Sequence, residues 1–146
     1  MPAQTDDVLE LDEHWSFVRR KVGQAWLWLA LCRRTRQVVA FALGDRTVRT
    51  CLRLWKALPK AYRQAYCFHD FWAAYNAVLP DDQHEGVGKE TGETNHIERF
   101  NNTLRQRLGR LVRKTLSFSK SWHMHTACIR LFLHRYNLDR ALLIRE

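Results

Sequence analysis

The stretch Gln24 to Cys32, QAWLWLALC, carries no charge and almost no polar side chain over nine residues. That is the length of a strand and far short of a bilayer span. A strand that is apolar on both faces belongs in the middle of a sheet covered on both sides, so this run is expected to be the buried central strand of the domain. Its neighbours in sequence have strand character too. Val8 to Val18 alternates Leu9, Leu11, Trp15 and Phe17 against Glu10, Asp12, His14 and Ser16, the period-two pattern of a strand. Gln37 to Leu43, QVVAFAL, is a third β-branched and aromatic run, ending at Gly44. Basic turns at Arg19 to Gly23 and Arg33 to Arg36 join the three into an antiparallel meander.

Beyond Gly44 the period changes. Val48, Cys51, Leu52, Trp55 and Leu58 recur at helical spacing, which predicts a helix over Thr47 to Leu58 with Pro59 as its stop. Ala65 to Phe68, AYCF, reads as a fourth strand running to His69 and Asp70. Phe71 to Leu79 forms a short helix before Pro80, and Asp81 to Glu93 is a Gly-rich loop with room for one short strand. Thr94 is the N-cap of a long helix, and Lys120 to about Leu143 forms a last one carrying Trp122, Ile129, Leu131, Phe132, Tyr136 and Leu143. The order is that of an α/β domain with helices on both faces of a mixed sheet, the strand order of the ribonuclease-H-like fold. At 146 residues one domain is expected. Residues 1–7 are polar and frayed, 8–119 form the ribonuclease-H-like domain, and 120–146 form a C-terminal helix packed on it.

The long helix carries the chemistry. In Thr94 to Leu111, TNHIERFNNTLRQRLGRL, the apolar residues Ile97, Phe100, Leu104, Leu108 and Leu111 form a stripe for the core. Beside it Glu98, Asn102 and Arg105 share another face. From Arg99 to Lys120 there are seven cations, Arg99, Arg105, Arg107, Arg110, Arg113, Lys114 and Lys120, and no Asp or Glu. Lys plus Arg exceed Asp plus Glu by 24 to 15 over the whole chain, a net charge of +9 with a pI near 9.9, which argues for an anionic partner such as nucleic acid. No leader or bilayer-spanning segment is evident, and Cys32, Cys51, Cys67 and Cys128 show no CxxC pairing. Reduced thiols in a cytosolic protein are expected.

In sheets of this kind a site forms at strand C-terminal ends where the strand order changes, here between the first and fourth strands. Asp12 lies within the first strand, facing away from Leu9 and Leu11, and Asp70 ends the fourth. A helix crossing those ends brings Glu98 to them. Three carboxylates from three separated segments are what two Mg2+ or Mn2+ ions need, since hard cations take oxygen ligands. Two ions about 3.5–4 Å apart serve in-line phosphoryl transfer by activating the attacking oxygen and stabilising the leaving one. Blander readings exist for two of the three: Glu98 suits the first turn of a helix by its dipole, and Asp70 suits an N-cap. An Asp inside a strand, by contrast, is intrinsically disfavoured and asks for a reason.

Taken together, LELDEHWSFV at 9–18, WLWLAL at 26–31, QVVAFALGDRT at 37–47, HDFWAAY at 69–75, HIERFNNTLRQRLGRL at 96–111 and RKTLSFSKS at 113–121 resemble the insertion-sequence-1 type transposases. These are DDE recombinases with a ribonuclease-H-like catalytic domain. The resemblance spans nearly the whole chain and implies DNA strand cleavage and strand transfer in a prokaryotic cytosol, associated with the nucleoid. It maps the DDE triad to Asp12, Asp70 and Glu98, and the basic residue seven positions after the family's Glu to Arg105, a DNA contact near the active site. Full-length relatives also carry an N-terminal zinc-finger and helix-turn-helix region that reads the element's ends. Only eleven residues precede Asp12, so that module is expected as a fusion or partner, with the protein oligomeric on DNA. The chain by itself is then expected to discriminate element ends a few-fold at most.

Other chemistries fit less well. His123 and His125 are two apart and face different ways on a helix, and Ser117 and Ser119 lack a nucleophile elbow. Trp26, Trp28 and Trp55 are core residues rather than base-stacking platforms. A non-catalytic DNA-binding descendant of such an element and a nuclease of the same fold share the charge pattern, and metal-dependent joining of DNA ends separates the three readings.

Overall fold

The computed structural model describes residues 1–17, 24–70, 73–114 and 122–145. Five strands form one mixed sheet in the order β3-β2-β1-β4-β5, from β1 (Val8–Phe17), β2 (Gln24–Cys32), β3 (Val38–Gly44), β4 (Tyr66–His69) and β5 (His84–Gly86). The first three are the expected antiparallel meander, with Leu11 opposite Ala30 and Asp12 opposite Leu29. β4 then lies parallel to β1 on its open side, and β5 parallel to β4. A parallel neighbour requires a crossover, and α1 (Val48–Ala57) with the 3-10 turn Lys60–Tyr62 supplies it.

Both faces of β2 are buried, as its composition requires. Trp28, Ala30 and Cys32 join Leu9 and Leu11 beneath α1 and α2 (Ala73–Val78), where Cys51, Leu54, Ala74 and Tyr75 complete one core. Leu27, Leu29 and Leu31 face the other way, against Ile97, Phe100 and Leu104 of α3 (Asn95–Lys114) and Ile129 and Leu133 of α4 (Trp122–Arg145). β3 is an edge strand. Asn137 of α4 covers its start by accepting the Val38 N–H at 2.8 Å and donating to the Val38 carbonyl at 2.7 Å, so the edge is paired by a side chain where no strand follows.

Two apolar stripes differ from the sequence reading. In α1, Val48 and Leu52 are exposed while Leu54 is buried, because the face that meets the sheet is centred on Cys51, Leu54 and Leu58. In α4, Leu131 is 70% exposed and Leu143 60%, while Ile129 and Leu133 are buried. Helix α4 has apolar and polar residues spread around its circumference, so periodicity cannot choose its inner face; contact with α3 and β3 does. All four cysteines are free thiols, and among the described residues no helix is long and apolar enough to cross a membrane.

Candidate active site

Strand register brings the first two carboxylates together. Glu10 of β1 pairs with Phe68 of β4, and continuing that register by two residues sets Asp12 level with Asp70, one residue past the end of β4. Asp12, Asp70 and Glu13 each offer an oxygen within 4.8 Å of the other two. Glu13 points to the opposite face of β1 from Asp12. It still reaches the cluster because β4 stops at His69 and, among the described residues, no strand divides the faces beyond it. A cavity of about 310 Å3 opens here, with Asp12, Asp70, Glu98, Asn101, Asn102, Arg105 and Lys89 on its wall. A larger cavity of about 720 Å3 runs along β3 past Arg53 and Arg130, but no carboxylate lines it. The clustered carboxylates are at the smaller one.

What carries Glu98 there is a pair of attachments between β1 and α3. Glu10 is fully buried, and its Oε1 accepts the backbone N–H groups of His96 at 3.0 Å and Ile97 at 3.1 Å. These are the N–H groups that a capping side chain serves, and here the cap comes from another element. Arg33 donates to Glu10 Oε2 at 3.1 Å and reaches the Glu93 carboxylate at 3.1 Å, tying the segment before α3 to the same point. One helical turn on, Asn101 Nδ2 donates to Asp12 Oδ2 at 2.7 Å. Alternate residues of a strand lie roughly 6.5 Å apart and one helical turn rises about 5.4 Å, so the Glu10–Asp12 spacing matches the Ile97–Asn101 spacing and sets Glu98 between the two ties.

The electrostatics are those of a site crowded with acid. Burial pushes the Asp12 carboxyl up to about 7, and the neighbouring Glu13 and Asp70 charges add to this. Glu13 is raised as well, chiefly by burial, against the Tyr75 hydroxyl that donates to it at 2.6 Å and Arg46 at 3.0 Å. His14, two residues beyond Asp12, is held down to about 4 by burial and then by the Arg105 charge, so it is neutral at ordinary pH. Carboxylates that repel one another in a buried place fit a divalent cation, and an all-oxygen donor set suits Mg2+ or Mn2+ rather than a soft metal.

Asp12, Asp70, Glu98, Asn102 and Arg105 thus line one cavity, and Arg99 and Arg107 are exposed along α3. Arg110, Arg113 and Lys114 lie on α3 with side chains outside the described residues, and Lys120 lies outside them altogether. Four residues at or beside the cavity escaped sequence reasoning: Glu10, Glu13, Lys89 and Asn101. Glu10 and Glu13 look like ordinary strand charges, Lys89 sits in a segment without periodicity, and Asn101 is indistinguishable by spacing from Asn102.

The family whose model matches residues 7–138 is described as IS1 transposase. The chain belongs to the IS1 transposase family. Within it, the insertion element iso-IS1n protein InsB of Shigella dysenteriae is 40% identical over 131 residues, covering 88% of this chain and 95% of that protein. The insertion element IS1 protein InsB of Shigella flexneri is 42% identical over 125 residues, 86% and 92% of the two chains. The insertion element IS1 4 protein InsB of Escherichia coli is 39% identical over 125 residues, 86% of this chain and 72% of that one. An IS1-family transposase acts on DNA.

Proposed function

We propose that this chain performs the metal-dependent DNA cleavage and strand-transfer steps of transposition, on a ribonuclease-H-like domain spanning residues 8–119 with the helix of 120–146 packed on it. Asp12, Asp70 and Glu98 are its carboxylate triad. The observation that carries this reading is the meeting of Asp12 and Asp70 at one cavity with Glu98 on its wall, in a chain of a transposase family. When bound by these three residues, Mg2+ or Mn2+, as a pair of ions, would activate the attacking oxygen and stabilise the leaving one. The chain's own residues do the rest. Arg105 and Lys89 hold the phosphate at the cavity mouth, and Arg99, Arg107 and the cations after them track the strand leading to it. Asp12 must give up its proton to serve as a ligand, and cation binding and ionisation are therefore linked. Phosphate contacts position DNA without reading its sequence, so choice of element ends falls to an N-terminal zinc-finger and helix-turn-helix module, fused or in trans, within an oligomer on DNA in the prokaryotic cytosol.

The test is a strand-transfer assay with element-end DNA, the reading module supplied, in Mg2+ or Mn2+. Asp12→Asn, Asp70→Asn and Glu98→Gln should each abolish joined product while retaining DNA binding. Joining that survives all three substitutions would refute the triad, and DNA binding without joining by the unmodified chain would favour a non-catalytic DNA-binding role.

A further inference from the structure

Asn101 has no part in the triad, yet its side chain reaches Asp12 from another element. Its Nδ2 donates to Asp12 Oδ2 at 2.7 Å, while Asp12 Oδ1 accepts the Glu13 N–H at 2.9 Å. The carboxylate is therefore gripped at both oxygens, once from its own strand and once from the helix that carries Glu98. In the ionised state that serves a cation the carboxylate only accepts, so there the amide nitrogen faces it and the amide carbonyl faces away. That carbonyl oxygen is buried without a hydrogen-bond partner, in a residue only 5% exposed. Burying an unsatisfied amide oxygen costs stability, and an apolar side chain of similar size avoids the cost. The amide adds little to the fastening of α3, since Ile97, Phe100 and Leu104 pack the helix and Glu10 caps it.

The kind of donor also matters. Glu13, the other strand carboxylate at the cluster, is paired to the Arg46 guanidinium at 3.0 Å and to the Tyr75 hydroxyl at 2.6 Å, so its charge is already answered by the protein. Asp12 is held by neutral N–H donors in every contact described for it. A neutral donor fixes a carboxylate in space and leaves its negative charge for a cation.

We propose that Asn101 is a positioning residue for Asp12, which it locks in the orientation that presents its remaining lone pairs to the cavity. This rests on the reading of Asp12, Asp70 and Glu98 as cation ligands. Groups that hydrogen-bond a metal ligand in this way contribute about ten- to hundred-fold in metal affinity.

The experiment is a Mn2+ titration of the full chain, followed by electron paramagnetic resonance, with thermal unfolding of each variant measured free of divalent ions. Asn101→Ala and Asn101→Leu should bind Mn2+ about ten- to hundred-fold more weakly than the unmodified chain while unfolding at the same temperature or higher. Asp12→Asn serves as the control that should lose the binding. If the Asn101 variants bind as the unmodified chain does while Asp12→Asn does not, Asn101 has no positioning role and the ligand set stands. If Asp12→Asn binds unchanged, the ligand set itself fails and this assignment with it. Unfolding lowered by several degrees in both Asn101 variants also overturns it, because the amide would then be holding the fold rather than the ligand.

Discussion

Glu10 accepts the backbone N–H of Ile97 at 3.1 Å across 87 residues of sequence, with no part of the carboxylate exposed. That contact places the start of α3 on β1, and Arg33 balances its charge. Replacing Glu10 by Ala leaves two helix N–H groups without their acceptor and the Arg33 guanidinium with Glu93 alone, and an unsatisfied buried donor costs about 1–3 kcal/mol. Glu10→Gln keeps an acceptor and should cost distinctly less. Urea unfolding of the two variants checks this; an Ala variant within about 1 kcal/mol of the parent would show that α3 is held by packing alone.

Stability should fall with rising pH in a window set by Asp12. Its folded-state pKa, about 7, lies above the value of 3.8 for an unperturbed Asp, so between those values the folded chain binds a proton that the unfolded chain does not. Stability present at low pH is then lost as pH rises through the window. Asp12→Asn removes the loss and should melt higher than the parent at about pH 8 without divalent ions, with the difference shrinking toward about pH 4. Addition of Mg2+ or Mn2+ should stabilise the parent more as pH rises and leave Asp12→Asn unmoved. Melting curves across that range decide it, and a gap between the two chains that does not change with pH would count against Asp12 as the titrating group.

Lys89 and Arg105 approach the cavity from the 3-10 turn Lys89–Thr91 and from α3, and both are exposed. Each should contribute one phosphate contact. Lys89→Ala and Arg105→Ala are expected to weaken binding to unrelated duplexes equally and to lower the slope of log affinity against log salt by about 1 each. Fluorescence anisotropy at several salt concentrations measures both quantities. A loss restricted to one DNA sequence would mean that the residue reads bases.

Local pattern carried a good part of this molecule. The alternation around Asp12 sets the parity of β1, which turns Asp12 away from Leu9 and Leu11 whatever strands lie beside it. The unbroken apolar run of β2 required helices on both sides, and they are there as α1 and α2 on one face and α3 and α4 on the other. The resemblance of several blocks to the IS1 transposases agrees with the family match over residues 7–138. Where apolar and polar residues are spread around one helix, as in α4, periodicity points to Leu131 and misses Leu133.

Hydrophobic period reports which side of an element avoids water, and that much belongs to the chain itself. It says nothing of how one element slides against the next, because that is settled by contacts between residues far apart in sequence. The parallel pairing of Glu10 with Phe68 makes Asp70 level with Asp12, and the early end of β4 lets Glu13 join them from the opposite face. Glu10 and Asn101 hold α3 to β1 one turn apart, which puts Glu98 on the cavity wall and buries Asn101 rather than its neighbour Asn102. The residue types and their faces were determined locally. Their convergence was decided by register and by one buried carboxylate capping a distant helix, since only a folded chain brings those groups within hydrogen-bonding distance.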